Sequence, residues 1–133
     1  MRCPDILVID DNQGDALIIK EAFEDSGSCV SLSFASDGVE ALTILRNVAA
    51  LPDLIVLDIK MPKMDGLDFL KVLRNDPDLN AATVVILTSS DDPRDREMAR
   101  YLGVINYFTK PSRFNNWITL SRKLKKLSIK KQT

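Results

Sequence analysis

Three carboxylates, a hydroxyl and an ammonium stand at the ends of short apolar runs in this 133-residue chain. Asp10 and Asp11 follow ILVI (Ile6–Ile9), and Asp58 follows LIVL (Leu54–Leu57). Thr88 follows the apolar run VVIL (Val84–Leu87), and Lys110 follows NYFT (Asn106–Thr109). Acids crowded at one place repel one another, and a cation that joins them relieves the cost. Their donor atoms are all oxygen, so the expected ion is hard, and Mg²⁺ suits a partly hydrated site beside a phosphate. A carboxylate is also a nucleophile toward phosphorus, forming an acyl phosphate. Incoming phosphoryl oxygens need positive charge and donors, which the metal, Lys110 and Thr88 could supply.

Other chemistries are excluded by what is missing. The chain has no His, which removes Ser-His-Asp and Cys-His catalysis and imidazole metal ligation. Eighteen basic residues nearly balance nineteen acidic ones, which is not the balance of a dedicated nucleic-acid binder. Cys3 and Cys29 are isolated, and the reading is of two reduced thiols behaving as small hydrophobes. The run Ile6–Ile9 is too short for a signal peptide or a membrane span and stops at Asp10. A soluble, cytoplasmic protein is expected.

The apolar runs also define the elements that must position these groups. ILVI, LIVL and VVIL are near-continuous β-formers, the pattern of parallel strands covered on both faces. Val30–Ala35 (VSLSFA) alternates like an edge strand, and Asn106–Thr109 is a fifth, weaker strand. Between them Asp15–Phe23 puts Ala16, Ile19, Ala22 and Phe23 on one helical stripe. Asp37-Gly-Val-Glu40 reads as a capping box before Ala41–Val48. Gly66–Arg74 turns Leu67, Leu70 and Leu73 inward, and Asp92-Pro93 opens a helix that Gly103 ends. Phe114–Leu127 forms the last helix, with Trp117, Leu120, Leu124 and Leu127 as its buried stripe. Its Arg122, Lys123, Lys125 and Lys126, with Lys130 and Lys131 beyond, read as a solvated face rather than a nucleic-acid patch. Five strands alternating with five helices indicate an α/β fold: a parallel sheet flanked by helices, in one domain over residues 1–133. Its core lies between about 5 and 127, before a basic tail over 128–133. Ligands of such sheets gather beyond the carboxyl ends of the strands.

Taken together, Asp10-Asp11, the run from Asp58 through Met61-Pro62 to Asp65-Gly66, Thr88-Ser89 and Tyr107-Phe-Thr-Lys110-Pro111 resemble the receiver domains of two-component response regulators. The resemblance runs from about Asp5 to the last helix and implies a CheY-like, flavodoxin-like strand order 2-1-3-4-5. It implies Asp58 as phosphoacceptor, with Asp10, Asp11, Asp58 and the backbone carbonyl of Lys60 around Mg²⁺. It further implies that Thr88 follows the phosphoryl group, that Tyr107 swings inward, that Lys110 pairs with the phosphate, and that the Lys110-Pro111 bond is cis. The implied partners are a sensor histidine kinase and a downstream protein, with a homodimer left open. Neither a nucleic acid nor a membrane is implied. The stretch D-N-Q-G-D ending at Asp15, followed after Ala16 by L-I-I-K-E-A-F, is similar to stand-alone receivers paired with phytochrome-like kinases.

Each residue also has a plainer reading. Asp10 and Asp11 could cap a strand or helix, Tyr107 could be fixed core, and Lys110 could be a solvated charge. A flavin carrier would want Ser, Thr and Gly after the first strand, where Asp10-Asp11 would repel a flavin phosphate. A haloacid-dehalogenase-type phosphatase would want a second Asp two places after Asp58, where this chain has Lys60. A receiver kept as an unphosphorylated scaffold would not need the full set of acids, hydroxyl and ammonium.

Overall fold

The computed structural model describes residues 3–130. In chain order these form β1 (Asp5–Ile9), α1 (Gln13–Asp25), β2 (Ser31–Ala35), α2 (Gly38–Asn47) and β3 (Leu54–Leu57). Then come α3 (Gly66–Asn75), β4 (Val84–Thr88), α4 (Pro93–Tyr101), β5 (Tyr107–Thr109) and α5 (Phe114–Lys130). The five strands are parallel, in the order β2-β1-β3-β4-β5. The expected fold class and strand order are both present.

Strand periodicity explains how the sheet is buried on both sides. Ile6, Val8, Leu54, Val56, Val85 and Leu87 pack against Ile19, Ala22 and Phe23 of α1 and Trp117, Leu120 and Leu124 of α5. Their neighbours Leu7, Ile9, Ile55, Leu57, Val84 and Ile86 pack with buried residues of α2, α3 and α4 on the other face. Alternate residues of one strand point to opposite faces, so an unbroken apolar run serves two cores at once. At the edge, β2 is half-covered, with Ser31, Ser33 and Phe34 exposed and Ala35 buried.

Side-chain caps set the helix starts. Asn12 accepts from the Asp15 N–H at 3.0 Å, which begins α1 at Gln13, two residues before the apolar stripe suggests. Asp37 accepts from the Glu40 N–H at 2.8 Å, while Glu40 takes the Ser36 N–H at 3.1 Å, so the capping box reaches one residue further back. Asp65 caps α3 and Asp92 caps α4. Gly103, at φ +87°, makes the left-handed turn after α4 that a side chain would strain. Arg74 of α3 reaches the same turn, donating to the Leu102 carbonyl at 2.7 Å, and also donates to the Ala82 carbonyl ahead of β4 at 2.7 Å.

Two expectations are corrected here. Cys3 and Cys29 are not free thiols but a disulfide, with their Cα atoms 5.3 Å apart. Sequence spacing hides the pairing: Asp5 lies opposite Ser31 in the β1–β2 ladder, and the same register two residues earlier sets Cys3 beside Cys29. No cis peptide bond occurs among the described residues, so Lys110-Pro111 is trans. That is the isomer an X-Pro amide itself favours, by about 0.5–1 kcal/mol. No helix among the described residues is long and apolar enough to cross a membrane. Of the basic tail expected over 128–133, positions 131–133 and the Lys130 side chain lie outside the described residues.

Candidate functional site

The strand ladders deliver the site residues. Ile9 lies opposite Leu57 in the β1–β3 register. One step beyond, the Asp58 N–H donates to the Ile9 carbonyl at 3.0 Å, and the Asp10 N–H donates to the Ala35 carbonyl at 3.0 Å. Asp10 and Asp58 are thereby held side by side at the carboxyl ends of β1 and β3. On the other side Thr88 pairs with Thr109, and the Lys110 N–H donates to the Thr88 carbonyl at 2.9 Å. This is also where strand order reverses about β1, the place where open α/β sheets form a crevice.

Three carboxylates converge there. Asp10, Asp11 and Asp58 each place an oxygen within 4.8 Å of the others. Asp10 and Asp58 are buried, at 7% and 6% exposure, while Asp11 is open to solvent. Backbone donors orient both buried acids: Asp10 accepts from the Asn12 N–H at 2.9 Å and Asp58 from the Ile59 N–H at 2.8 Å. The Lys110 ammonium lies 2.9 Å from Asp10, 3.2 Å from Asp58 and 2.7 Å from Asp15. Burial pushes the Asp10 carboxyl up to about 6, aided by the charge of Asp58 and opposed by the Asn12 N–H and Lys110. Burial alone would lower Lys110, but the carboxylates of Asp15, Asp10 and Asp58 outweigh it and hold the ammonium above its ordinary range.

The remaining sequence candidates are distributed around this centre. Thr88 is wholly buried at the end of β4, and its hydroxyl accepts from the Ser90 N–H at 3.2 Å. Its neighbour Ser89, not Thr88, lines the open cleft together with Asp11, Asp15, Lys60, Lys110 and Trp117. Lys60 turns its ammonium to Asp95 at 3.7 Å, across to the first turn of α4. Tyr107 is half-buried, and its hydroxyl donates to the Ser90 carbonyl at 3.3 Å. Met61-Pro62 and Asp65-Gly66 shape the loop after β3, where a Cβ on Gly66 would meet the Asp58 carbonyl and lie 2.8 Å from Ile59 Cα. Asp15 is the site residue that sequence reasoning passed over. As the third residue of α1 it reads as a plain first-turn acid, and only packing brings it to the end of β5.

The family model for the response regulator receiver domain matches residues 6–121. This chain belongs to that family. Among curated relatives, the probable methanogenesis regulatory protein FilR2 of Methanothrix harundinacea is 34% identical over 115 residues, covering 84% of this chain and 74% of that one. Response regulator Rcp1 of Synechocystis is 32% identical over 110 residues, covering 79% and 75%. Other relatives are longer proteins, of which this receiver spans 42% and 13%. The crystal structure of the phosphorylated cyanobacterial phytochrome response regulator RcpA matches with a TM-score of 0.88 and 29% identity, over 99% of this chain and 98% of that one. The Mn²⁺-bound form of Rcp1 matches at 0.81 and 27%, over 92% of each.

Receiver domains are signalling proteins of two-component systems, not conventional enzymes, and they bind a divalent ion in an acidic pocket. The residues of this receiver fit such an ion. Their donors are carboxylate oxygens only, three of them converge, and two are buried at a point where their mutual repulsion calls for a cation.

Proposed function

We propose that this receiver accepts a phosphoryl group on Asp58 from a sensor histidine kinase, with Mg²⁺ held by Asp10, Asp11, Asp58 and the Lys60 backbone carbonyl. The observation that carries the reading is the convergence of three carboxylates and the Lys110 ammonium on one strand-end crevice. Asp58 is buried, oriented by the Ile59 N–H and flanked by a cation, as a carboxylate nucleophile needs to be. An Asp58 oxygen bonds to phosphorus as the phosphorus–nitrogen bond of the kinase phosphohistidine breaks. The bonding pair leaves with the imidazole, which keeps or gains a proton. Bound Mg²⁺ would supply positive charge to the transferring oxygens. Lys110 supplies a second positive charge and holds its donors toward the same place. Thr88 then follows the new acceptor oxygens, Tyr107 turns inward, and the face of α4, β5 and α5 presents a changed surface to a downstream protein.

The likeness to RcpA and Rcp1 supports a phytochrome-like kinase as the donor. A cytoplasmic location goes with that pairing, and the Cys3–Cys29 disulfide is the observation that opposes a reducing compartment. Thiol alkylation of protein from intact cells decides that point. The phosphoacceptor is tested with Mg²⁺ and phosphoramidate or acetyl phosphate. One acid-stable, base-labile phosphoryl group is expected, and Asp58→Asn abolishes it. Labelling unchanged in that variant refutes the assignment.

A further inference from the structure

We propose that Asp15 is a positioning residue that holds the Lys110 ammonium over the Asp58 carboxylate. The inference rests on the reading of Asp58 as phosphoacceptor and assigns work to a side chain outside the three converging acids.

An ammonium has three donor protons, and Lys110 places three carboxylates around its own. The shortest contact, 2.7 Å, is to Asp15, against 2.9 Å to Asp10 and 3.2 Å to Asp58. Asp10 and Asp58 belong to the group that would bind a divalent ion, so both have a competing partner. Asp15 does not. It is the one carboxylate of the three whose bond to Lys110 is free of that competition.

Asp15 also stands on firm ground. Its N–H is fixed by the Asn12 cap at 3.0 Å, and α1 is anchored one turn on by buried Ile19, then by Ala22 and Phe23. Lys110, by contrast, is a long side chain just past the short strand β5, and holding it in one rotamer costs entropy. A short charge-assisted bond from a rigid helix start fixes the ammonium before the phosphoryl group arrives. The plainer role of a first-turn acid, complementing the α1 dipole, would act without Lys110.

The two roles separate in a double-mutant cycle. Initial rates of Asp58 phosphorylation by phosphoramidate at saturating Mg²⁺ are measured for wild type, Asp15→Ala, Asp15→Asn, Lys110→Ala and the Asp15→Ala/Lys110→Ala pair. In each case an Asp58 oxygen bonds to phosphorus while the phosphorus–nitrogen pair leaves with ammonia. Asp15→Ala is expected to slow the reaction about tenfold, the rate equivalent of one charge-assisted hydrogen bond. Its half-saturating donor concentration rises, because Lys110 meets the incoming phosphoryl group. Asp15→Asn recovers most of the rate, since its amide oxygen still accepts from Lys110. With Lys110→Ala already present, Asp15→Ala adds less than about a twofold change. Mg²⁺ affinity, followed by the fluorescence of Trp117 beside the cleft, stays within about twofold of wild type in Asp15→Ala.

Equal slowing in both backgrounds overturns the inference, as does an unslowed Asp15→Ala or a loss of Mg²⁺ affinity that accounts for the lost rate. Label that is lost in Asp58→Asn while the Asp15 and Lys110 effects simply add removes this inference alone. Label that survives Asp58→Asn removes the phosphoacceptor reading and this inference with it.

Discussion

The Arg96 guanidinium lies over the Tyr107 ring, 4.4 Å from its centroid, while the hydroxyl of the same ring donates to the Ser90 carbonyl at 3.3 Å. Ser90 follows β4 and Arg96 belongs to α4, so one short segment grips Tyr107 at both ends. Arg96 is itself steadied by Asp91 at 3.3 Å, and Ser90 donates to Asp95 at 3.3 Å. Lys60, from the loop after β3, reaches that same Asp95. Lys60 thereby joins the loop after β3 to the segment that holds Tyr107.

Arg96→Ala removes the stacked cation, a contact worth about 0.5–1 kcal/mol where it is exposed, or roughly two- to fivefold in a two-state equilibrium of the ring. In wild type, a beryllium fluoride mimic of the phosphoryl group is expected to shift the amide signals of Tyr107 and of the Asp92–Gly103 segment. In free Arg96→Ala those signals should already lie part-way along the same displacement. Arg96→Lys, which keeps a cation, should lie closer to wild type. Signals of free Arg96→Ala that coincide with wild type would show that the stacking does not hold the ring.

Gly66→Ala should be among the most damaging single substitutions. The Gly66 N–H donates to the Ile59 carbonyl at 2.8 Å, and the added Cβ would run into the backbone of Asp58 and Ile59 rather than into a yielding side chain. Overpacking of this kind costs about 2–3 kcal/mol, to be read as a lower urea midpoint with an unchanged slope. The phosphorylation rate should fall as well, because the same clash displaces Asp58. Wild-type stability and rate in this variant would mean that the loop after β3 yields freely.

What the sequence discloses follows from how local each feature is. ILVI, LIVL and VVIL announce buried parallel strands because every residue is apolar, and Asp37 and Asp92 announce helix starts because a cap acts within three residues. Asp10 and Asp58 are legible because each follows such a strand, and Lys110 because it follows the weaker fifth one. Asp15, Cys29 and Arg74 are opaque for the opposite reason. Asp15 meets Lys110 across 95 positions, Cys29 meets Cys3 across 26, and Arg74 bonds Leu102 across 28. Only the strand register and helix packing create those contacts. The cis expectation for Lys110-Pro111 rests on resemblance alone, and the structure does not bear it out.

The acidic cluster makes a prediction about metal. Asp11→Ala and Asp10→Ala should each weaken Mg²⁺ binding, about 10–100-fold where the acid is a ligand or orients metal-bound water. Trp117 lines the cleft and gives a fluorescence readout without phosphorylation. Asp11 is exposed and, among the described residues, makes no ion pair comparable with that of Asp10 and Lys110, so Asp11→Ala should leave the urea midpoint of metal-free protein nearly unchanged. Undiminished Mg²⁺ affinity in both variants would remove the ion from this crevice.

Asp10 also sets a pH dependence in the metal-free protein. Its carboxyl is raised from 3.8 to about 6, first by burial and then by the charge of Asp58, against the pull of the Asn12 N–H and Lys110. A raised folded-state value means that the fold holds this proton more tightly than the unfolded chain does. The stabilisation from Asp10 is therefore complete below about 3.8 and is lost as pH climbs through about 6. Above that range the ionised, half-compensated carboxylate costs stability. Asp10→Asn keeps an acceptor for the Asn12 N–H but cannot ionise, so its stability relative to wild type should improve as pH rises across this window and then level off. The relative gain should be about 1–2 kcal/mol, part of the relief being offset by the weakened bond to Lys110. Urea midpoints at pH 4.5 and 7.5 in chelator measure it. Adding Mg²⁺ at the higher pH should reverse the ranking, since the ion stabilises wild type by binding its folded state and the variant has lost a ligand. A difference between the two proteins that is the same at both pH values would show that Asp10 is already ionised at the lower one.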